Sequence, residues 1–178
     1  MMLQRTRADQ VKGVYGNFFN EYSSPEEVAS TPQEELNTIL APLGLNWRFS
    51  KFKEVAVAIS EQCNGEVPAE REELKKLPGV GQYISGIVTS TAFDQPQWII
   101  DSNVVRVFKR FFGLDPDKGE ARRHKDFKEH AAEYSKRPNS REANFGLIDF
   151  GAIVCKPSSP DCSDCPVSGK CCYIQENP

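Results

Sequence analysis

Apolar residues recur at helical spacing along most of the chain, and short polar or proline-containing segments separate the periodic stretches. The first stretch covers residues 8–22, and its apolar positions share one helix face: Val11, Val14, Tyr15, Phe18 and Phe19. Ser24 and Pro25 then provide an N-cap and a first helical residue, positions that serine and proline favour. Thr31-Pro32 starts a third, short helix that continues through Leu40.

The same periodicity continues to the C-terminal third of the chain. It predicts further helices over residues 48–63, 70–76, 82–93, from 101 or 102 to 112, 123–136 and 142–154. The sequence has no alternating strand pattern of useful length, no internal repeat and no low-complexity linker. The predicted fold class is therefore all-α.

Composition limits the classes of protein that this chain can be. With 178 residues, 39% of them hydrophobic and 26% charged, it has a globular composition and enough length to bury a core. No run of 18 uncharged apolar residues indicates a membrane span, and the start MMLQRTRADQ lacks the apolar run of a signal peptide. We therefore expect a cytoplasmic protein without a membrane partner.

Charge argues against a nucleic-acid partner at first sight. The formal net charge is −3, whereas a protein that binds duplex DNA is expected to be basic, at least locally. Basic residues do cluster, in one run of Arg106, Lys109 and Arg110 and in a second run over residues 122–125. A local basic face is therefore compatible with an acidic chain.

Five of the six cysteines lie between residues 155 and 172. A disulfide framework would spread them more evenly, so this crowding indicates a metal site in a reducing compartment. The spacing Cys155-x6-Cys162-x2-Cys165-x5-Cys171 favours a [4Fe–4S] cluster, because it contains only one CxxC pair and one wide loop. Zinc and four buried free thiols are the alternatives, and Cys172 competes with Cys171 as the fourth ligand.

Two further features carry candidate chemistry. The segment LPGVG, residues 77–81, places glycines and exposed backbone N–H groups before a helix, which is a geometry that binds phosphate without reading sequence. A simple turn between helices is its plainer interpretation. Asp101 follows three apolar residues and precedes a helix. It can act as an ordinary N-cap, as a carboxylate that stabilises a cationic sugar, or as both.

Four segments occur in one order along the chain: LPGVGQYIS, IIDSNVVRV, NFGLIDFGAIVC and the cysteine tail. Together they resemble the helix-hairpin-helix DNA glycosylases of the endonuclease III, MutY and Mig group. The resemblance covers essentially the whole chain. It implies a lobe over residues 1–95 with the hairpin at about 70–93, a lobe over 96–178 with a cluster loop at 155–171, and duplex DNA in the cleft, where a flipped base enters a pocket.

The resemblance also implies roles for individual residues. Asp101 would be the catalytic aspartate, Asn144 would lie near it, and Gln4 and Arg5 would wedge into the gap left by the flipped base. Gln4 and Arg5 are otherwise an ordinary polar pair at a helix end. The hairpin residues that would bind DNA are Leu77, Gly79, Val80, Gly81 and Gln82. The ligands of the cluster would be Cys155, Cys162, Cys165 and Cys171.

Tyr83 decides between branches of the group. The bifunctional endonuclease III branch has a lysine here that forms a Schiff base, and a phenol cannot do this. We therefore expect a monofunctional enzyme. Separately, we expect a monomer that is associated with the nucleoid. Tyr83 would bound the base pocket, or would simply pack as a hairpin aromatic. Tyrosine resembles the Mig-type enzymes, which remove thymine or uracil opposite guanine, whereas MutY-type adenine glycosylases usually have serine.

Three other functions stay open. MutY-like adenine removal is the main alternative, although the family's glutamate before the segment aligned with Met1-Met2 is not in this sequence. Adenine chemistry depends on general-acid help, so its loss would harm that reaction most. A catalytically weak DNA-binding relative is the second alternative. An iron–sulfur electron-transfer protein is the third, and the phosphate-binding hairpin argues against it.

Overall fold

The computed structural model describes residues 1–115 and 121–176, and every regular element within these ranges is helical. This confirms the all-α class. The chain divides into two compact units, Met1–Ser85 and Gly86–Pro178, and the division falls inside one helix. None of the described helices is both long and apolar enough to cross a membrane.

The first unit contains five helices and the start of a sixth. They are α1 (Ala8–Glu21), α2 (Pro25–Ser30), α3 (Gln33–Leu40), α4 (Phe49–Gln62), α5 (Arg71–Leu74) and α6 (Gln82–Ala92), with 3₁₀ turns at Ala41–Leu43 and Asn46–Arg48. The predicted cap of α2 is confirmed, because the Ser24 hydroxyl accepts from the Glu27 N–H at 3.3 Å and Pro25 is the first helical residue. One apolar cluster contains residues of all four helices from α1 through α4, and Leu36 and Leu40 of α3 are fully buried in it.

In its described residues, the second unit contains the rest of α6 and four more helices: α7 (Ser102–Phe112), α8 (Lys125–Ser135), α9 (Ser140–Ile153) and α10 (Cys172–Glu176), with 3₁₀ turns at Ala121–Arg123 and Ser168–Lys170. Helix α7 is strongly amphipathic, and it buries Val104, Val107 and Phe108 in an apolar cluster with Phe127 of α8 and Leu147 of α9. The cysteine segment, residues 155–171, follows α9 without further long helices and lies against the polar side of α7.

Helices α7 and α9 approach each other closely at one glycine. A Cβ placed on Gly151 of α9 would lie only 2.7 Å from the Cβ of Asn103 in α7, which is closer than packed side chains allow. The absence of a side chain at Gly151 therefore fixes how near the two helices can lie. Since Asn103 is two residues after Asp101, this contact also sets the position of the candidate carboxylate.

Candidate functional site

Asp101 lies at the N-terminus of α7, as the sequence predicted. One oxygen of its carboxylate accepts from the Val104 N–H at 2.8 Å, which is an N-cap, and the other accepts from the Asn103 side-chain amide at 3.0 Å. Each carboxylate oxygen has two lone pairs, so both retain capacity for a further partner. The carboxylate is half-buried, and the two bonds hold it in one orientation at the helix end.

A chain of hydrogen bonds runs from this carboxylate to the cysteine segment. Asn103 donates to Asp101 and accepts from Nη2 of Arg106 at 2.8 Å. The same guanidinium donates to the Gly151 carbonyl at 2.6 Å and to the Cys155 carbonyl at 2.7 Å. Sequence analysis missed Asn103, although a polar amide two residues after a capping aspartate is the signal that would have indicated it.

Asn144, which the family resemblance suggested would lie near the catalytic aspartate, joins two neighbouring segments to α9. It is buried in α9, and its amide nitrogen donates to the Ser90 hydroxyl at 2.9 Å and to the Gln97 carbonyl at 2.7 Å. These bonds tie α9 to the end of α6 and to the segment before α7. The amide that touches the Asp101 carboxylate is that of Asn103.

The four predicted cluster ligands surround one cavity. Cys155, Cys162, Cys165 and Cys171 line this cavity together with apolar side chains such as Phe111 and Val167 and with the charged Arg110 and Asp161. Partial burial raises the pKa of the Cys162 thiol, and the neighbouring thiols raise it further. Within the described ranges, no three side chains of His, Cys, Asp or Glu converge as they would around a single ion.

The two neighbouring cysteines near the C-terminus point to different places. Cys171 is buried, lines the cavity and lies with its sulfur 3.3 Å from the Arg110 carbonyl oxygen. Cys172 is instead next to Gly113, where an added Cβ would be 3.6 Å from its sulfur. The structure therefore separates the two candidates for a fourth ligand and puts Cys171 in the cavity wall.

Arg110 binds the first residues of the cysteine segment. Its guanidinium donates to the Lys156 carbonyl at 2.6 Å and to the Pro157 carbonyl at 3.0 Å, and Nη1 lies 3.4 Å from the Cys155 sulfur. The guanidinium carbon also lies 5.0 Å from the centre of the Tyr173 ring. Arg106 and Arg110 thus bind the first part of the segment from one side of α7.

These contacts change the interpretation of the first basic run. Arg106 and Arg110 are engaged with backbone carbonyls, and Lys109 forms an ion pair with Asp115 at 3.0 Å. The run therefore does not form a free basic face. The sequence alone could not show this, because a guanidinium donates equally well to protein carbonyls and to phosphates.

The hairpin segment has the backbone that its glycines predicted. Gly79 has φ +73°, in the left-handed region, and Gly81 is exposed with open space where a Cβ would be. The Leu77 side chain is buried in the core, so only its backbone can face a ligand. Gln82 starts α6, and Tyr83 follows it with 37% of the residue exposed.

The N-terminal candidates lie on a short turn before α1. Arg5 is exposed and has φ +56°, which is a left-handed conformation that arginine rarely adopts. Gln4 is half-buried, and its carbonyl accepts from Arg48, a residue at the start of α4 that sequence analysis did not single out. Burial of an arginine at a helix start has no signature in the apolar periodicity.

Comparison with known proteins assigns this arrangement to one class. The family model of the HhH-GPD superfamily base excision DNA repair proteins matches residues 1–133. The thymine/uracil-DNA glycosylase of Pyrobaculum aerophilum is 34% identical over 179 residues, which cover 99% of this chain and 78% of that protein. The solved structure of a thermostable thymine-DNA glycosylase superposes with a TM-score of 0.91 at 34% identity, covering 98% of this chain and 81% of that one.

An adenine DNA glycosylase from Rattus norvegicus is also similar, with 34% identity over 96% of this chain but only 33% of its own length. The chain belongs to the HhH-GPD superfamily of base excision DNA repair proteins and is a DNA glycosylase, an enzyme that hydrolyses the N-glycosidic bond between a base and its sugar.

Proposed function

We propose that this glycosylase is monofunctional and removes thymine or uracil from mismatches with guanine. The similarity to a thymine/uracil-DNA glycosylase over nearly the whole chain carries this proposal. Tyr83 supports it, because this exposed residue follows the hairpin where a strand-cleaving relative would need an amine. Without that amine, water is the nucleophile and the product is an abasic site in an intact strand.

Asp101 supplies the negative charge for bond cleavage. As the N-glycosidic bond breaks, the sugar gains oxocarbenium character, and a fixed carboxylate stabilises that charge without having to reorganise. The two hydrogen bonds from Val104 and Asn103 hold the carboxylate in one orientation and prevent the side chain from rotating away. The same carboxylate can accept a proton from the attacking water through its remaining lone pairs.

The hairpin supplies sequence-independent contacts with the DNA backbone. No described residue occupies the space beside Gly81, so internal packing does not explain a glycine there. A phosphate that approaches the backbone N–H groups at the start of α6 does explain it, because a side chain would keep the phosphate away. The backbone N–H groups of Gly79, Gly81 and Gln82 are the proposed donors. The N–H groups of Leu77 and Val80 already donate to the carbonyls of Leu74 and Leu77, so these two residues shape the turn.

Cys155, Cys162, Cys165 and Cys171 are the proposed ligands of a [4Fe–4S] cluster. All four line one cavity, and their spacing, with a single CxxC pair and one wide loop, favours an iron–sulfur cluster over a zinc ion. When bound, the cluster supplies four iron–thiolate bonds that hold the segment after α9. Arg106 and Arg110 donate to backbone carbonyls at the start of that segment and so hold its first residues against α7.

The proposal is tested with a panel of duplexes that contain G·T, G·U, A·G or A·8-oxoguanine pairs. We expect strand breaks on G·T and G·U only after alkali treatment, because hydrolysis leaves an alkali-labile abasic site. Breaks without alkali would contradict the role assigned to Tyr83. We further expect the enzyme to act on DNA of the nucleoid as a monomer. Sedimentation of the enzyme with one duplex measures how many chains bind.

Adenine removal is the second candidate, and the similarity to the rat adenine DNA glycosylase favours it. Breaks confined to the A·G and A·8-oxoguanine duplexes would establish this activity. If no duplex were cut while the cluster was intact, the chain would be a DNA-binding relative without excision activity.

A further inference from the structure

Arg48 is a charged residue in the interior of the first unit. Only 1% of it is exposed, and its guanidinium donates to the Gln4 carbonyl, to the Thr6 hydroxyl at 2.6 Å and to the Leu43 carbonyl at 3.2 Å. All three acceptors are neutral, and Nε is buried without a hydrogen-bond partner among the described residues. Burial lowers the pKa of the guanidinium, which nevertheless stays charged at neutral pH.

Packing of the Arg48 side chain does not by itself explain why a charged residue is buried here. Removing a charge from water is costly unless an opposite charge or a complete set of hydrogen bonds replaces the water, and here one donor has no acceptor. A methionine of similar length would fill the same space without this cost. The arginine therefore has to be explained by what its three bonds hold in place.

Those bonds lead to the turn before α1. Two acceptors, the Gln4 carbonyl and the Thr6 hydroxyl, lie on either side of Arg5, and Thr6 also donates to the Leu43 carbonyl at 3.2 Å. Arg5 itself is exposed and has the left-handed φ of +56°. A non-glycine residue keeps that conformation only where its surroundings determine it, and the Arg48 contacts are such a determinant.

We infer that Arg48 is a positioning residue that fixes the Gln4–Thr6 turn so that Arg5 projects into the DNA duplex beside the extruded base. The inference rests on the proposed function and on the wedge that the family resemblance implies for Gln4 and Arg5, and it adds the residue that positions this wedge. A rigid turn inserts its side chain without first being ordered, so the enzyme loses less conformational entropy when the base leaves the stack. The buried charge is kept because neutral side chains cannot donate to three acceptors at once.

The test is a double-mutant cycle between Arg48→Met and Arg5→Ala, made in the full chain with its cluster. The readouts are the fluorescence of 2-aminopurine next to a G·T mismatch, which reports base extrusion, and affinity for a fully paired duplex, which reports backbone binding. We expect each single variant to reduce the extrusion rate by about 10²-fold, since displacing a group by about 1 Å can cost this much. Affinity for the paired duplex should change less than about threefold, because the hairpin contacts are untouched.

Coupling between the two sites is the deciding result. If Arg48 acts through the turn, the double variant extrudes the base no more than about threefold more slowly than the slower single variant. The inference would be overturned if the two rate reductions multiplied in the double variant, or if Arg48→Met extruded the base at the wild-type rate. Thr6→Val, which removes one acceptor of Arg48, is the milder variant should Arg48→Met not fold, and a wild-type extrusion rate in it would count equally against the inference.

The double-mutant cycle tests the role of Arg48 independently of which base the enzyme excises. Extrusion is measured without bond cleavage, so an enzyme that excises adenine instead of thymine is tested in the same way with a duplex that contains an A·8-oxoguanine pair. Failure of excision on every duplex would refute the proposed function, whereas uncoupled variants of an active enzyme would refute only the role of Arg48.

Discussion

At Asp101 one carboxylate both caps a helix and carries the charge proposed for catalysis, and substitution by asparagine separates the two. Asparagine keeps the oxygen that accepts from the Val104 N–H but loses the bond from the Asn103 amide, so Asp101→Asn should stay folded and unfold at a slightly lower urea concentration than the wild type. Its excision rate should fall by about 10²–10³-fold, because the charge that stabilises the sugar cation is gone. Single-turnover excision beside urea unfolding measures both quantities.

Asp126→Asn is the matched control, because it removes the same charge from the first turn of α8. It should excise at the wild-type rate. An Asp101→Asn enzyme with wild-type activity would show that the carboxylate is only a cap.

At the scale of helices, Gly151 and Gly146 of α9 form a matched pair. Alanine at Gly151 would place a Cβ 2.7 Å from Asn103, and such overpacking typically costs about 1–3 kcal/mol. Alanine at Gly146 meets no described atom within 4 Å and replaces a poor helix former, so it should gain up to about 1 kcal/mol of stability. Urea unfolding of the two variants measures both free energies.

Excision provides a second readout for the same pair. Because Asn103 holds the Asp101 carboxylate, Gly151→Ala should also slow excision per folded molecule, whereas Gly146→Ala should not. Equal stabilities of the two variants would show that α7 and α9 adjust freely, contrary to the close approach described above.

The polar side of α7 gives a second prediction at this scale. Arg106 joins Asn103 to the carbonyls of Gly151 and Cys155, so Arg106→Gln should loosen both the carboxylate and the cysteine segment. We expect slower excision and faster bleaching of the cluster's visible absorbance in the presence of an iron chelator. Lys109→Gln on the same helix is the control, because Lys109 pairs only with the exposed Asp115 in the described structure.

Bleaching and excision together decide the role of Arg106. A variant with wild-type excision and wild-type cluster retention would show that these hydrogen bonds support neither site. Loss of cluster retention alone would limit Arg106 to the cysteine segment.

Across the whole molecule, local patterns predicted the helices well and the partners of polar residues poorly. Apolar spacing and caps gave α1 and α7 to within about two residues, because both signals act between neighbours in sequence. Arg48 and Arg106 were missed as positioning residues because their acceptors are up to 49 residues away. Only the folded chain shows which acceptor a guanidinium binds.

The use of arginines inside the protein has a consequence for DNA binding as a whole. The chain has a net charge of −3, and Arg106 and Arg110 are committed to carbonyls of the cysteine segment and of α9. Backbone N–H groups of the hairpin contact phosphates without replacing bound cations, so they add little to the salt dependence. Since these two arginines are engaged within the protein, we expect a slope of log K against log salt concentration well short of the roughly −10 of proteins that neutralise many phosphates.

Anisotropy titrations of a paired duplex between low and physiological salt measure this slope. Lys109→Gln should leave it unchanged, because Lys109 already pairs with Asp115. A slope of about −10 would contradict this expectation, because many cations would then contact the DNA, either from outside α7 or by release of its arginines from the cysteine segment. A shallow slope would instead show that few cations neutralise phosphates, as expected if Arg48 and Arg106 serve to position the turn and the carboxylate rather than to bind DNA.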